Sequence, residues 1–152
     1  MQLVIEHAVE IKIDRPVGDV FAFVTDPTNH PRWDGSSRSM QPDEPGPWKA
    51  GLTLLDVRRM GPRRMEVKSR VAALVPNESM DIGSITGPEF HGHWRLSPDG
   101  SGTVLRWSCE MTVQGPARLA EKLVARSFRR VCDQSFGRLK GLLEGGEGRA
   151  AP

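Results

Sequence analysis

The strongest constraint in this chain is a late change of hydrophobic period. Up to about residue 113 apolar residues recur mainly at every second position, interrupted by one short helical stretch near the start. Beyond Gly115-Pro116 they recur every three or four. Period two belongs to strands with one buried face and the longer period to an amphipathic helix. The chain is therefore a series of strands closed by one helix. The first alternation is the cleanest: Leu3, Ile5, His7, Val9, Ile11 and Ile13 share one side, while Val4, Glu6, Ala8, Glu10 and Lys12 share the other.

Pro16 suits a first helical turn, and Val20, Phe21 and Val24 form a short buried stripe that ends by Asp26-Pro27. A second short helix or turn is expected over 28–33, after which Gly35, Ser36 and Ser37 break the pattern. Residues 41–51 hold prolines and glycines around a lone Trp48, the composition of a loop whose tryptophan folds back onto apolar surface. Such loops often rim pockets. Residues 52–59 and 64–75 flank Gly61-Pro62 as a hairpin, its second arm alternating Met65, Val67, Ser69, Val71 and Ala73 against Arg64, Glu66, Lys68 and Arg70. The register of the first arm stays open. Strands over 79–86, 90–96 and 103–113 follow, separated by Gly87-Pro88 and by Pro98-Asp99-Gly100.

The closing stripe runs Ala117, Ala120, Val124, Phe128, Val131, Ser135, Leu139 and Leu142. Burial of its large members, at about 1.5–3 kcal/mol each, makes this helix a main stabiliser of the domain. The fold class is α+β: a curved antiparallel sheet of six to seven strands around a long C-terminal helix, with two short helices after the first strand. One domain is expected over 1–144, and the Gly-rich segment 145–152 reads as a disordered tail. A sheet of this size coils, and one helix cannot fill its concave face. Space for a small molecule is expected between them.

Composition excludes several classes of function. The chain has no tyrosine, so proton transfer would fall to histidine or carboxylate. Cys109 and Cys132 lack metal or redox spacing and read as reduced thiols, which suits the cytoplasm. A formal charge of +2 is too small to imply nucleic acid. No segment approaches the ~18 apolar residues of a membrane span, so no integral membrane association is expected. Nucleotide-binding glycine loops, a nucleophile elbow and paired-cysteine metal motifs are absent, and no cofactor is expected.

The stretch from Val9 through Asp14-Arg15-Pro16 to Asp26-Pro27, followed by Asn29-His30-Pro31-Arg32-Trp33, resembles the opening of the START-like (SRPBCC) polyketide cyclase/dehydrase and lipid-transport superfamily. Trp94-Arg95-Leu96 before a Gly-rich turn, Gly102-Thr103 opening the last strand and the ending Leu139 to Glu144 add to the likeness. The resemblance spans nearly the whole chain. It implies the helix-grip fold and an apolar cavity, while its motifs mark fold rather than catalysis.

His7 is the first polar candidate, because alternation puts it on the cavity side. A satisfied core histidine is the plainer explanation, and ligand contact or acid/base catalysis the sharper one. Ser69 and Ser84 share inward faces. Trp33, Trp94 and Trp107 are placed to stack on a ring-bearing guest, beside Cys109 and Met111 of the last strand; core packing would give the same pattern. Met65, Met80 and Met111 make the interior adaptable. From the helix, Val124, Phe128 and Val131 complete the expected lining. Asp56 and Asp81 are the carboxylates able to reach inside if their registers allow. His91 and His93 point the same way, but opposite to Phe90, Gly92, Trp94 and Leu96, so they are read as solvated rather than metal-binding. Arginines 58, 59, 63 and 64 at the hairpin tip, with Arg118, Lys122, Arg126, Arg129 and Arg130, form basic runs read as solvated faces, with phosphate, an acyl-carrier partner or an anionic membrane surface as the sharper alternatives.

Three functions fit these residues. The favoured one is binding of a small hydrophobic molecule, polyketide-, sterol- or lipid-like, by a monomer or homodimer. The second is a polyketide cyclase or dehydratase using His7 or a cavity carboxylate. The third is a partner-binding protein whose cavity is incidental.

Overall fold

The computed structural model describes residues 2–60 and 62–146, without the side chains of Met60 and Ala117. Gly61 of the expected turn, Ala117 of the stripe as a side chain, and residues 147–152 of the expected tail fall outside that description. Strand β1 (Leu3–Ile13) leads into α1 (Val17–Val24), a 3-10 turn (Pro27–Asn29) and α2 (His30–Trp33). Six strands follow: β2 (Ser37–Pro42), β3 (Thr53–Met60), β4 (Arg63–Val75), β5 (Ser79–Ser84), β6 (Phe90–Asp99) and β7 (Gly102–Val113). A 3-10 turn (Gly115–Ala120) then opens into the long helix α3 (Glu121–Glu144).

All seven strands form one antiparallel sheet in the order β1-β7-β6-β5-β4-β3-β2. Every neighbour in sequence is a neighbour in space except β1, which returns to pair with β7 from Leu3↔Val113 to Ile13↔Thr103. This joins the two ends of the domain. The seventh strand is β2, which replaces the break expected at Ser37. Its pairing with β3 carries an irregularity between Ser37 and Ser39 that had hidden the alternation.

A second irregularity corrects the reading of β4. Met65, Val67, Ser69 and Val71 keep one face, but the register shifts between Val71 and Ala73. The extra residue turns Ala73 to solvent, and Leu74 packs against the core instead.

The core lies between the concave face and the helices, around Ile13, Val20, Val24, Leu54, Val71, Met80, Leu105, Leu139 and Leu143. In α3 the fully buried leucines are 139 and 143, with Leu142 half-buried; Ala120 of the expected stripe lies in the 3-10 turn and is exposed. Arg15 locks the C-terminal end of this helix. It is buried, donates to the Leu143 carbonyl at 3.3 Å and pairs with Asp19 at 2.9 Å, favourable placement for a cation at a helix C-terminus.

Along the free rim of β1, α3 supplies the missing partners. Arg129 donates to the Glu6 carbonyl through Nε and Nη2 at 3.2 and 3.1 Å, and Lys140 donates to the Lys12 carbonyl. Toward its other end α3 rests on the sheet through Ala125, which packs with Ile5 and Met111. Between the two anchored ends, Phe128, Val131, Cys132 and Ser135 face the sheet across a gap.

Candidate functional site

That gap is a cavity of about 190 Å³. Its apolar wall comes from inward positions of the strands: Met65, Val67 and Ser69 of β4, Ile82 of β5, Phe90, Gly92 and Trp94 of β6, Trp107 and Met111 of β7. Trp33 and Phe136 form the deep end. Phe136 lies 4.9 Å from Trp107 and 5.4 Å from both Trp33 and Trp94, ring centre to ring centre, in the tilted arrangements that ring quadrupoles favour. Gly92 matters to this floor: a methyl group there would stand 3.2 Å from the Phe90 ring and 3.6 Å from the Trp107 indole nitrogen. Only hydrogen fits without displacing an aromatic wall.

The wall beside Trp33 is charged, reached through His30, whose ring centre lies 4.9 Å from that of Trp33. Arg58 donates to Asp34 at 2.9 Å through Nη2 and to Asp56 at 2.5 Å through Nη1. Ser37 donates to the second oxygen of Asp56 at 2.6 Å. Asp34 follows α2, which also carries His30, whose Nε2 is 3.1 Å from Asp34 Oδ2. The angle is poor, and neither His30 ring nitrogen has a well-aligned partner among the described residues. Burial would raise the pKa of Asp34, but His30 and the Arg58 guanidinium outweigh it and hold the carboxyl well below the usual carboxylate range. For Arg58 burial opposes the charge, and the two carboxylates overcome it, leaving the pKa raised. Two carboxylates around one guanidinium leave this part of the wall with an excess of negative charge.

The structure brings eight of the expected lining residues to the cavity: Trp33, Met65, Ser69, Trp94, Trp107, Met111, Phe128 and Val131. It places the others elsewhere. His7 does not reach the cavity wall, because its Nε2 is held by Asp133 of α3 at 2.8 Å, over the β1 rim. Met80 and Cys109 are packed in the core, Val124 packs against the Ile5 and Met111 cluster, and the Ser84 hydroxyl accepts from the Phe90 amide at 2.9 Å. Of the two carboxylates, Asp56 lines the cavity; Asp81 lies on the outer face, bonded to His93 and Arg95 at 3.0 Å each. His93 also meets Glu110 at 3.1 Å, and His91 is exposed beside Glu89. No group of three His, Cys, Asp or Glu side chains among the described residues is placed to hold a metal.

Arg58 corrects the basic hairpin run: it points inward while Arg59, Arg63 and Arg64 are exposed. Sequence reading passed over Asp34, Arg58 and His30 as site residues. One signal was present. Leu52, Leu54, Asp56 and Arg58 continue a single inward parity, and two opposite charges ending an apolar face must pair when buried. Trp48 does fold back as expected; it is buried, its amide donates to the Thr25 carbonyl at 3.0 Å, and its ring lines the cavity. Both thiols are pushed up to about 12, chiefly by burial, and Cys132 borders the cavity.

A sheet that curls around a terminal helix and leaves an apolar chamber is the geometry expected from the resemblance. The family profile described as polyketide cyclase / dehydrase and lipid transport matches residues 5–144. The chain belongs to that family. Among solved structures, family-like architecture recurs in a protein from Thermus thermophilus (TM-score 0.80, 16% identity, covering 93% of this chain and 99% of that one). It recurs in the Zhui aromatase/cyclase from a Streptomyces species (TM-score 0.77, 14% identity, 99% and 98% covered). The protein Ara h 8.0201 has the same helix-grip arrangement (TM-score 0.66, 15% identity, 95% and 100% covered). At these identities the likeness is one of fold. No curated protein sequence matches the chain. Family membership implies a polyketide cyclase/dehydrase-like or ligand-binding protein, and no helix among the described residues is long and apolar enough to cross a membrane.

Proposed function

We propose that this chain binds a small, flat, mostly apolar ring compound, polyketide-derived in the first instance, with its oxygenated edge toward Asp34, Arg58 and Asp56. The observation that carries this reading is the chamber itself: about 190 Å³, walled by four tryptophans, three methionines and three phenylalanines, with its charge gathered around Asp34, Asp56 and Arg58. An apolar cavity of about 150 Å³ accepts a single benzene ring, so this volume suits one or two fused rings. A sterol or long acyl chain would need Met65 and Met111 to move aside, which thioether side chains do readily. Burial of the rings supplies affinity, and the charged part of the wall supplies orientation.

Saturable quenching of tryptophan fluorescence by hydroxylated naphthalenes and naphthoquinones, competable by one another, is the expected result. Binding at 100 times the dissociation constant adds about 2.7 kcal/mol of stability, or roughly 5–10 °C in Tm for a chain of this size. A panel that neither quenches saturably nor raises Tm overturns the reading.

The second reading is catalysis on such a guest, supported by the name of the family and by the carboxylates beside a cation. In a ring closure, Asp56 or His30 would take a proton from a methylene flanked by carbonyls, Arg58 would offset charge on the enolate oxygen, and the new carbon–carbon bond would leave an alkoxide to be reprotonated. His7, engaged by Asp133, has no part in this step. Product formation from a poly-β-ketone thioester that falls about 10²-fold in Asp56→Asn, with guest affinity kept, identifies an enzyme. Binding without turnover identifies a carrier.

A further inference from the structure

Strand register brings the start of β1, the end of β7, the start of β6, the end of β5 and the β3–β4 hairpin to one end of the sheet. The 3-10 turn and the first turns of α3 follow directly from β7 and lie there too. At this end Met65, Val67, Pro88, Phe90, Phe128 and Val131 line the cavity and are only partly buried. Five large apolar side chains stand exposed among the described residues, and four of them, Val4, Ile85, Leu119 and Leu123, lie toward this end. Leu119 and Leu123 are the extremes, 82% and 70% exposed. Two nearly bare leucines, one in the 3-10 turn and one in the first turn of α3, are costly in water unless something covers them.

Their surroundings are basic. Lys122, Arg126 and Arg130 share the α3 face of Leu123, just beyond the turn that carries Leu119, and all are exposed. Phe128 and Val131, on the opposite face, line the cavity. Arg59, Arg63 and Arg64 of the hairpin add positive charge, and together these cations outnumber the exposed acids Glu6, Glu66, Glu89 and Glu121 at this end.

We propose that this rim docks on an anionic lipid surface, with Leu119 and Leu123 entering the headgroup layer and the cations resting on phosphates. Leucines inside a ring of Lys and Arg are the composition of an interfacial helix. A second copy of the chain fits less well, since a two-fold axis here would set Lys122, Arg126 and Arg130 against their own copies. An acidic protein fits less well too. The exposed apolar side chains come from separate elements and form no groove, so they suit a fluid surface better than a shaped partner. Docking here would put this partly exposed stretch of the cavity wall against the medium in which an apolar guest dissolves.

The test is flotation of the full chain, without guest, on vesicles of phosphatidylcholine alone or mixed with phosphatidylglycerol. The expected result is recovery with the mixed vesicles only, weakened by high salt, and a drop in the partition constant of about tenfold or more in L119S/L123S and in K122E/R126E. Unchanged circular dichroism and Tm in both variants would show that folding is intact. No flotation of the wild type, the outcome if the true partner is an acidic protein, overturns the proposal. Undiminished flotation of both variants does so equally. Because no guest is present, failure of the binding reading leaves this result untouched.

Discussion

Arg58 is the side chain that makes two buried carboxylates tolerable in the wall of an apolar chamber. Replacing it with methionine keeps much of the packing and strands Asp34 and Asp56. Breaking a buried pair from one side costs 3–5 kcal/mol, and because a quarter of Arg58 is exposed the lower end, about 3 kcal/mol, is expected from urea denaturation. The pH profile should change as well. Asp34 has a depressed folded pKa, so its stabilisation is whole above the ordinary value of 3.8 and is lost as pH falls through the lower folded value. Arg58→Met should shrink that acid-side fall in urea midpoint along with the stability, the part held by His30 and the Ser36 amide remaining. A second expectation concerns the thiols: with both pKa values near 12, neither Cys109 nor Cys132 should react with an alkylating reagent at neutral pH until the chain unfolds. At this scale the sequence was half legible. Parity alone delivers the tryptophan and methionine walls. Asp34 was not readable, because it lies in a turn after a four-residue helix, where no period exists to say which way a side chain points. His7 shows the opposite failure: parity gives its face correctly, but not the reach of Asp133 from a helix 126 residues away.

Among the elements, α3 works in two halves. The C-terminal half is core, and Leu139, fully buried, should cost about 2–5 kcal/mol on replacement with alanine, read as a shifted urea midpoint with unchanged slope. The middle, around Phe128, Val131 and Ser135, borders empty space. Val131→Ala should therefore cost less than Leu139→Ala by about 1 kcal/mol or more, because the deleted methyl groups had fewer neighbours to lose. Element order was legible because each strand kept its own alternation between strong turn signals. The element that was not, β2, is a six-residue edge strand with a register shift at its start. Irregular pairing erases the period by which strands are recognised.

For the whole molecule, pH acts on both faces of the sheet. On the outer face His93 has a raised pKa, first from its bond to Asp81, with burial opposing and Glu110 adding. Such a group stabilises fully below its ordinary value of 6.5, and the contribution is lost as pH rises through the folded value. Stability of the wild type should decline slightly above 6.5 relative to His93→Gln, while the Asp34 cluster erodes it at the acid end. A urea midpoint greatest between these limits is the expected profile, and coincident wild-type and His93→Gln curves would count against the network.

Arg129 and Lys140 also decide how this chain behaves beside its own copies. Each occupies a carbonyl on the outer rim of β1 that would otherwise offer itself to any extended peptide in solution. Stripped of both, the eleven residues of that rim become a template for zippering one molecule onto the next. The double alanine variant should then form fibrils well below its unfolding temperature, with the native fold still intact when the first strands join.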